Sequence, residues 1–228
     1  GNDIFIPLDN ARQNKSSTSS LQLIKVAITG SAGSGKTLVC NRFKSLGLDV
    51  IFLDALAREV VAPGSVALQK IGGHFGKRVL SPNGTLNRKV LRQIMINDAQ
   101  DRKIIERFIH PRISELMNRQ VSEAEKRGET LILVEVPLLF EKRIEKQFQV
   151  VILVVADQNV KVKRLMDRDN ISRRDALGLL NVQMTDDQKR DRADFVITNN
   201  GFRDEVLQSV DRIFQRFQAK ETKKIKRA

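Results

Sequence analysis

Residues 23–37 have the sequence LIKVAITGSAGSGKT, which joins a β-branched apolar run to a glycine-rich turn. A helical pattern then continues through Leu46 and Gly47. Val, Ile and Thr favour extended backbone, and glycine permits the sharp turn that ends such a run. The stretch therefore predicts a strand, a loop and a helix, in that order.

The turn at residues 30–37 matches the pattern Gly-x-x-x-x-Gly-Lys-[Ser/Thr] of a phosphate-binding loop, or P-loop. In such a loop, backbone N–H groups point at phosphate oxygens and the following helix adds its positive N-terminal end. Lys36 would contact the β- and γ-phosphates, and Thr37 would ligate Mg²⁺. The motif predicts that a nucleoside triphosphate binds here. We expect the nucleotide to contact Gly33, Ser34, Gly35, Lys36, Thr37 and Leu38.

Four more apolar runs predict strands, and a helix-like stretch at residues 55–61 follows the first of them. Near-continuous apolar runs suit parallel strands that helices cover on both faces. The pattern predicts an α/β protein with a central parallel sheet and a mostly helical insertion. The four runs are residues 49–53, 130–136, 149–155 and 195–197.

Changes in composition divide the chain into several segments. The stretch 65–128 has helical periodicity and a turn at residues 81–84, whereas 157–192 carries nine Lys or Arg, with Gly178 as its strongest turn signal. The predicted segments are a flexible leader (1–21), a nucleotide-binding core (22–64, 129–156 and 193–218), a helical insertion (65–128), a basic helical segment (157–192) and a basic tail (219–228).

The composition narrows the class of protein. The chain has 228 residues, 41% of them hydrophobic, which excludes disorder and membrane spanning as the main state. One cysteine, Cys40, cannot form an internal disulfide, and no signal peptide opens the chain, so we expect a cytoplasmic protein. The net charge of +13 suggests an anionic partner, but the charge alone does not separate nucleic acid from nucleotides, acidic cofactors or a role in solubility.

Two acidic residues at the ends of predicted strands are candidates for chemistry. Glu135 occupies a Walker-B-like position that suits Mg²⁺, although a charged residue at a strand end is the simpler interpretation. Asp54 could accept the proton of an attacking hydroxyl. The alternative for Asp54 is a helix N-cap before Ala55, which does not exclude catalysis. The guanine signature Asn-Lys-x-Asp of GTPases is absent from the sequence.

Beyond the P-loop, a series of short motifs runs in order as far as Gly201. Together with the P-loop, the whole series from about Val26 resembles the dephospho-coenzyme A kinase family, and its order makes the resemblance specific. Two departures are Leu38, where the family often has a second Ser or Thr, and Phe52, where it often has the first Asp of Asp-x-Asp. The motifs are DALAREVV at 54–61, FG at 75–76, GTLNR at 84–88, IHP at 109–111, VPLLFE at 136–141, RD at 168–169 and NNG at 199–201.

The resemblance implies an enzyme that uses ATP and Mg²⁺ to phosphorylate the ribose 3′-hydroxyl of dephospho-coenzyme A, the last step of coenzyme A synthesis. It implies a P-loop three-layer fold with a central parallel sheet, a helical substrate-binding insertion at 65–128 that takes the acceptor, and a small helical lid at 157–192 over ATP. By the same resemblance Asp54 is the general base, and Asn199 lies near the adenine.

The resemblance also assigns cations to both substrates. Arg164 and Arg168 match lid arginines that neutralise charge on the transferring phosphoryl group, with a solvated basic helix face as the alternative. Arg58, Arg88 and His110 match positions in or near the acceptor site. His110, which precedes Pro111, could equally be a helix-start residue with a satisfied imidazole.

Two rival functions stay open at this point. One is another P-loop kinase that acts on a nucleoside or nucleotide. The other is a basic nucleic-acid-binding ATPase, which the charge of +13 and the basic tail favour. We expect ATP and dephospho-coenzyme A as the partners, with a nucleic acid disfavoured and no membrane, and the sequence does not give the oligomeric state.

Overall fold

The computed structural model describes residues 23–225, without the side chains of Ile96 and of residues 220–225. The predicted leader at 1–21 and the last three residues of the predicted tail lie outside the described residues. All five apolar runs form strands of one parallel sheet, which confirms the predicted α/β class. The strands are β1 (Ile24–Thr29), β2 (Val50–Phe52), β3 (Leu131–Glu135), β4 (Val150–Val155) and β5 (Phe195–Thr198).

The sheet has the order β2-β3-β1-β4-β5, with β1 in the middle. On one side β1 pairs in parallel with β3, placing Ile28 opposite Glu135. On its other side β1 pairs with β4, placing Thr29 opposite Leu153. Because the carboxyl ends of parallel strands meet at one edge, the loops that follow β1, β3, β4 and β5 share that edge.

Helices lie on both sides of the sheet. Among residues 23–225, no helix is both long enough and apolar enough to cross a membrane. The described helices are α1 (Lys36–Ser45), α2 (Leu53–Val60), α3 (Val66–Phe75), α4 (Arg88–Asn97), α5 (Ala99–Lys126), α6 (Gln158–Asp169), α7 (Arg173–Asn181), α8 (Asp186–Arg190) and α9 (Arg203–Ile225).

Residues 52–127 form one compact unit, built mainly from α2 to α5. Its long helix α5 buries Ile105, Ile109 and Ile113 at a spacing of four residues, so that they share one face. Helices occupy most of 65–128, as the periodicity predicts, and the turn at 81–84 joins two residues of an isolated antiparallel bridge, Leu80 and Leu86. The assignment of this stretch to the acceptor stays a prediction.

Residues 23–51 and 128–225 form the second unit, which contains most of the sheet and the remaining helices. Helices α1 and α9 pack against each other here. The rings of Phe43 and Phe217 lie 6.5 Å apart. Arg42 donates two hydrogen bonds of 2.8 Å to the carboxylate of Asp211. Helix α9 continues to Ile225, into residues predicted as a basic tail.

The basic segment 157–192 contains three helices, in agreement with its helical pattern. Gly178, the strongest turn signal of the segment, lies inside α7 and does not interrupt the helix. The first of the two breaks follows α6 at Asn170, which has a left-handed backbone with φ of 50°. Asn adopts this conformation more readily than most residues, and one glycine inside a helix costs only about 1 kcal/mol relative to Ala.

Candidate active site

The P-loop lies between β1 and α1, as the motif predicts. Three residues before the loop, Val26, Ala27 and Ile28, are fully buried in the middle of the sheet, so the loop starts from a rigid strand. The loop ends at Gly35, whose φ of 89° is left-handed, and α1 starts at Lys36. The N-terminal end of α1 therefore lies directly beside the loop, as an anion site requires.

Two glycines of the loop are needed for space as well as for backbone conformation. Gly33 has a φ of 75°, and a Cβ there would lie 2.7 Å from the carbonyl oxygen of Lys161. A Cβ on Gly35 would lie 2.1 Å from the side-chain nitrogen of Asn199. Any larger residue at either position would displace a neighbouring group.

The carbonyl groups of the loop are held by two side chains from other loops and helices. Asn199 Nδ2 donates to the Ser34 carbonyl oxygen at 2.9 Å, and Arg164 Nη1 donates to the Gly33 carbonyl oxygen at 3.2 Å. Because a trans peptide points its C=O and N–H in opposite directions, these bonds also fix the N–H groups of Ser34 and Gly35. The loop therefore keeps its carbonyl groups turned toward protein donors.

Arg164 and Asn199 also contact each other. Arg164 Nη2 donates to Asn199 Oδ1 at 3.1 Å, and Asn199 is 97% buried, since only 3% of its surface is exposed. Half-buried Arg164 is thus not part of a solvated helix face, and that alternative was wrong. The structure brings both predicted residues to the P-loop, whereas the roles in catalysis and adenine binding stay predictions.

Lys36 folds back over the loop. Its Nζ donates to the carbonyl oxygens of Gly30 at 2.8 Å and Ser31 at 3.3 Å. Thr37 follows it with an exposed side chain on the first turn of α1. The backbone N–H of Leu38 donates to the Gly35 carbonyl oxygen at 3.1 Å, so this amide already has a protein acceptor.

Glu135 is the last residue of β3, next to the strand that leads into the P-loop. The following amide, of Val136, donates to the Ile28 carbonyl oxygen at 2.9 Å, which fixes the end of β3 against β1. Burial raises the pKa of the Cys40 thiol on α1, and the negative charge of Glu135 raises it further. The Glu135 carboxylate is therefore close enough to α1 to influence the Cys40 thiol.

Comparison with known proteins identifies the family of this chain. The dephospho-CoA kinase family model matches residues 24–205, most of the chain. The chain belongs to the dephospho-CoA kinase family. A dephospho-CoA kinase of Halalkalibacterium halodurans is 34% identical over 192 residues, 84% of this chain and 96% of that protein. One of Syntrophotalea carbinolica is 37% identical over 195 residues, covering 84% and 92%.

A solved structure supports the assignment of this chain to the dephospho-CoA kinase family. Dephospho-CoA kinase from Campylobacter jejuni superposes with a TM-score of 0.64 at 27% identity, covering 86% of this chain and 98% of that chain. The family assignment confirms the resemblance and shows that the protein is a kinase with a P-loop fold.

The second lid residue of the kinase, Arg168, has different surroundings from Arg164. Its guanidinium donates two hydrogen bonds of 2.7 Å to the carboxylate of Asp169. This pairing raises the pKa of Arg168 and lowers the pKa of Asp169. The Arg168 side chain is 65% exposed, so the lid role stays a prediction.

The remaining predicted residues belong to the unit 52–127. Asp54 lies in the first turn of α2, which starts at Leu53 after Phe52 as its N-cap, so the N-cap interpretation of Asp54 was wrong. An apolar residue, Leu53, has taken the first helical position because β2 passes into α2 without a loop.

Three further residues of this unit were assigned to the acceptor, of which Arg58 lies in the last turn of α2. His110 lies in the middle of α5 and is buried, so it is not a helix-start residue, and Pro111 is accommodated inside the helix. Arg88 is the first residue of α4.

Sequence reasoning missed several polar residues of the kinase that contact the P-loop. Asp186 accepts a 2.8 Å hydrogen bond from Ser31 Oγ, and Gln183 accepts one of 3.0 Å from the backbone N–H of Ala32. Lys189 is fully buried nearby. The one local signal was the capping-box pattern of Thr185 and Gln188, which marks the start of α8 but says nothing about its neighbours.

Proposed function

We propose that this kinase transfers the γ-phosphoryl group of ATP to the ribose 3′-hydroxyl of dephospho-coenzyme A. In this reaction a bond forms between the 3′-oxygen and the γ-phosphorus, the bond to the β–γ bridging oxygen breaks, and ADP and coenzyme A leave. The observation that carries the proposal is a P-loop with its carbonyl groups tied to Asn199 and Arg164, in a chain that matches the family over residues 24–205.

The P-loop would bind the triphosphate. Its N–H groups and the N-terminal end of α1 supply partial positive charge without any mobile side chain. Lys36 Nζ would exchange the carbonyl oxygens of Gly30 and Ser31 for oxygens of the β- and γ-phosphates. Rate enhancement would come mainly from positioning and charge neutralisation, which is the rule for phosphoryl transfer.

The residues that would hold Mg²⁺ are Thr37 and Glu135. A hydroxyl and a carboxylate are oxygen donors, which fit this hard cation. Within residues 23–225 no group of three or more His, Cys, Asp and Glu side chains is suited to a metal ion, and Mg²⁺ commonly keeps phosphate and water ligands in kinases. When bound, Mg²⁺ would supply positive charge to the β- and γ-phosphates.

Asp54 would take the proton from the 3′-hydroxyl. It follows the carboxyl end of β2 by two residues and is only partly buried, so its carboxylate stays accessible to a substrate. A carboxylate within hydrogen-bond reach of the attacking hydroxyl raises the nucleophilicity of its oxygen as the new bond forms. The position at the start of α2 supports this role.

Arg58 and Arg88 would bind the pyrophosphate of the acceptor. They belong to the same unit, and burial, together with the positive charge of Arg58, lowers the pKa of the Arg88 guanidinium. Two guanidinium groups close enough to repel each other form a favourable site for a doubly charged anion. His110 and Arg168 are kept as lesser parts of the proposal, for the acceptor and for ATP respectively.

A panel of acceptors tests the proposal against the rival kinase. The purified protein is incubated with ATP, Mg²⁺ and either dephospho-coenzyme A, adenosine or AMP, and ADP release is followed. We expect turnover with dephospho-coenzyme A that exceeds the turnover with the other acceptors by at least about a hundredfold. Turnover of a nucleoside or nucleotide without turnover of dephospho-coenzyme A would overturn the proposal.

The nucleic-acid-binding ATPase is tested by adding DNA or RNA at low salt. The net charge of +13 favours this rival, which predicts salt-dependent binding and stimulated ATP hydrolysis. We expect neither effect.

A cytoplasmic location is part of the proposal as well, because a chain with one cysteine has no internal disulfide framework.

A further inference from the structure

A group of buried charged side chains lies beside the first half of the P-loop, outside the residues that the motif assigns. Lys189 has no exposed surface, and the side chains of Lys161, Asp186 and Glu141 are 10%, 13% and 16% exposed. Charged side chains are this deeply buried only when they are paired. The group contains two cations and two anions, so its formal charges cancel.

Asp186 connects the P-loop to α6. Its Oδ1 accepts a 2.8 Å hydrogen bond from Ser31 Oγ, and its Oδ2 accepts a 2.8 Å bond from Lys161 Nζ. The neighbouring loop amide, the N–H of Ala32, donates to Gln183 Oε1 at 3.0 Å. Two successive residues of the P-loop are thus tied to the segment 183–189.

Lys189 connects the same part of the P-loop to the segment after β3. Its Nζ donates to Glu141 Oε1 at 2.8 Å and lies 3.5 Å from Ser31 Oγ. Glu141 Oε1 also accepts a 3.1 Å bond from the backbone N–H of Met184. Glu141 therefore fixes both ends of the segment that carries Asp186.

The local sequence explains why these two charges face the P-loop. A capping box between Thr185 and Gln188 fixes the first turn of α8. Asp186 and Lys189 are three residues apart, so they share one face of the helix. Asp187, between them, has a side chain that is 96% exposed and belongs to the opposite face.

Stability alone is a weak reason for such pairs. Replacing a buried ion pair by apolar side chains of similar volume is often neutral or stabilising, because desolvation offsets the attraction. Buried pairs do fix geometry, since each charge accepts only arrangements that keep its partner. The pairs here lie where the geometry of a phosphate-binding loop must be fixed.

We propose that Gln183, Asp186 and Lys189 are positioning residues for the P-loop. They hold Ser31 and Ala32 so that the loop keeps the conformation that binds phosphate, and the affinity for ATP depends on them. The inference rests on the proposed binding of ATP at this loop. It adds the segment 183–189 to the nucleotide site without any direct contact with the nucleotide.

Titration of ATP in the presence of Mg²⁺, by calorimetry and without acceptor, tests this positioning. Asp186→Asn keeps the shape but loses the charge that pairs with Lys161, and we expect at least about tenfold weaker ATP binding. Asp187→Asn is the matched control on the same helix, and its affinity should equal that of the wild type. Equal affinity in Asp186→Asn and Asp187→Asn would overturn the inference.

A double variant separates positioning from stability. Lys189→Met together with Glu141→Leu removes both charges and keeps most of the volume, so the fold does not retain an unpaired buried charge. Positioning predicts a protein with a near-native melting temperature and about tenfold weaker ATP binding. A folded double variant that binds ATP as the wild type does would overturn the role of Lys189.

A double-mutant cycle tests whether Asp186 acts through Ser31. Ser31→Ala and Asp186→Asn should each weaken ATP binding. The double variant should lose less binding free energy than the sum of the two single losses. Additive losses would contradict action through this hydroxyl. A wild-type protein that binds ATP but does not phosphorylate dephospho-coenzyme A would overturn the proposed function and leave the inference intact, whereas no binding of ATP at all would overturn both.

Discussion

Asn199 Nδ2 donates a hydrogen bond of 2.9 Å to the carbonyl oxygen of Ser34, inside the P-loop. The bond is buried, and Asn199 Oδ1 accepts a second bond from Arg164. Because the Ser34 carbonyl group points toward Asn199, the N–H of Gly35 in the same peptide points the other way. One side chain from the loop after β5 thus orients a backbone N–H group of the P-loop.

Asn199→Asp tests this relationship. The variant keeps the shape and the acceptor for Arg164 but places a carboxylate oxygen against the Ser34 carbonyl oxygen. We expect about tenfold weaker ATP binding in calorimetry, the equivalent of one lost hydrogen bond to a buried acceptor. Asn200→Asp is the matched control, since Asn200 Oδ1 only accepts a bond from the Asp157 N–H, which a carboxylate also accepts. Equal affinities in the two variants would contradict the orienting role.

A pair of glycine variants tests the close contact between the P-loop and α6. Gly33→Ala and Gly47→Ala both force Ala into a left-handed backbone, with φ of 75° and 91°, which costs about 1–2 kcal/mol. Only Gly33→Ala adds a clash, because its Cβ would lie 2.7 Å from the Lys161 carbonyl oxygen, whereas Gly47 has open space.

We therefore expect both glycine variants to lower the melting temperature by a few degrees, and only Gly33→Ala to weaken ATP binding, by about tenfold or more. Thermal unfolding and an ATP titration of each variant measure the two effects. Normal ATP binding by a folded Gly33→Ala protein would show that the loop does not depend on this contact.

The sequence predicted the parts of the molecule that follow from local patterns. Each strand was predicted because short, near-continuous runs of β-branched and apolar residues suit parallel strands that are covered on both faces. The P-loop was predicted because its glycines and lysine are contiguous. These features require no knowledge of distant neighbours.

The buried charges beside the P-loop could not be predicted in this way. Lys189 lies 158 positions from Ser31, and a basic segment resembles a solvated helix face until the fold brings Glu141 against it. For a related reason, the sequence placed the start of α2 at Ala55, two residues after its position in the structure at Leu53. Tertiary pairing of β2 sets that boundary, and the N-cap preference of Asp54 does not override it.

Asp211 and Arg42 provide a prediction about pH. The hydrogen bonds from Arg42 lower the pKa of Asp211 below its ordinary value of 3.8. A carboxyl group with a lowered pKa in the folded state adds stability that is present above the unfolded-state pKa and is lost as pH falls through the folded-state pKa. We expect Asp211→Asn to lower the melting temperature by about 1–3 °C at pH 7, with the difference shrinking as the pH falls below the ordinary Asp pKa of 3.8. A difference that grew in acid would contradict the assignment.

Asp54→Asn tests the proposed general base. The variant removes the proton acceptor and leaves the P-loop unchanged, so we expect kcat to fall by about a hundredfold or more, with ATP affinity within about twofold of the wild type. Glu59→Gln, an exposed carboxylate on the same helix, is the control and should retain normal turnover. Near-normal kcat in Asp54→Asn would show that another group activates the hydroxyl.

The position of phosphorylation is the most direct test of the account. The protein is incubated with ATP and one of two analogues of dephospho-coenzyme A. One analogue lacks the 2′-hydroxyl of the ribose and the other lacks the 3′-hydroxyl, and mass spectrometry measures the masses of the products. The account predicts that the 2′-deoxy analogue gains one phosphate and the 3′-deoxy analogue gains none. Phosphorylation of the 3′-deoxy analogue at a rate equal to that of the 2′-deoxy analogue would contradict it.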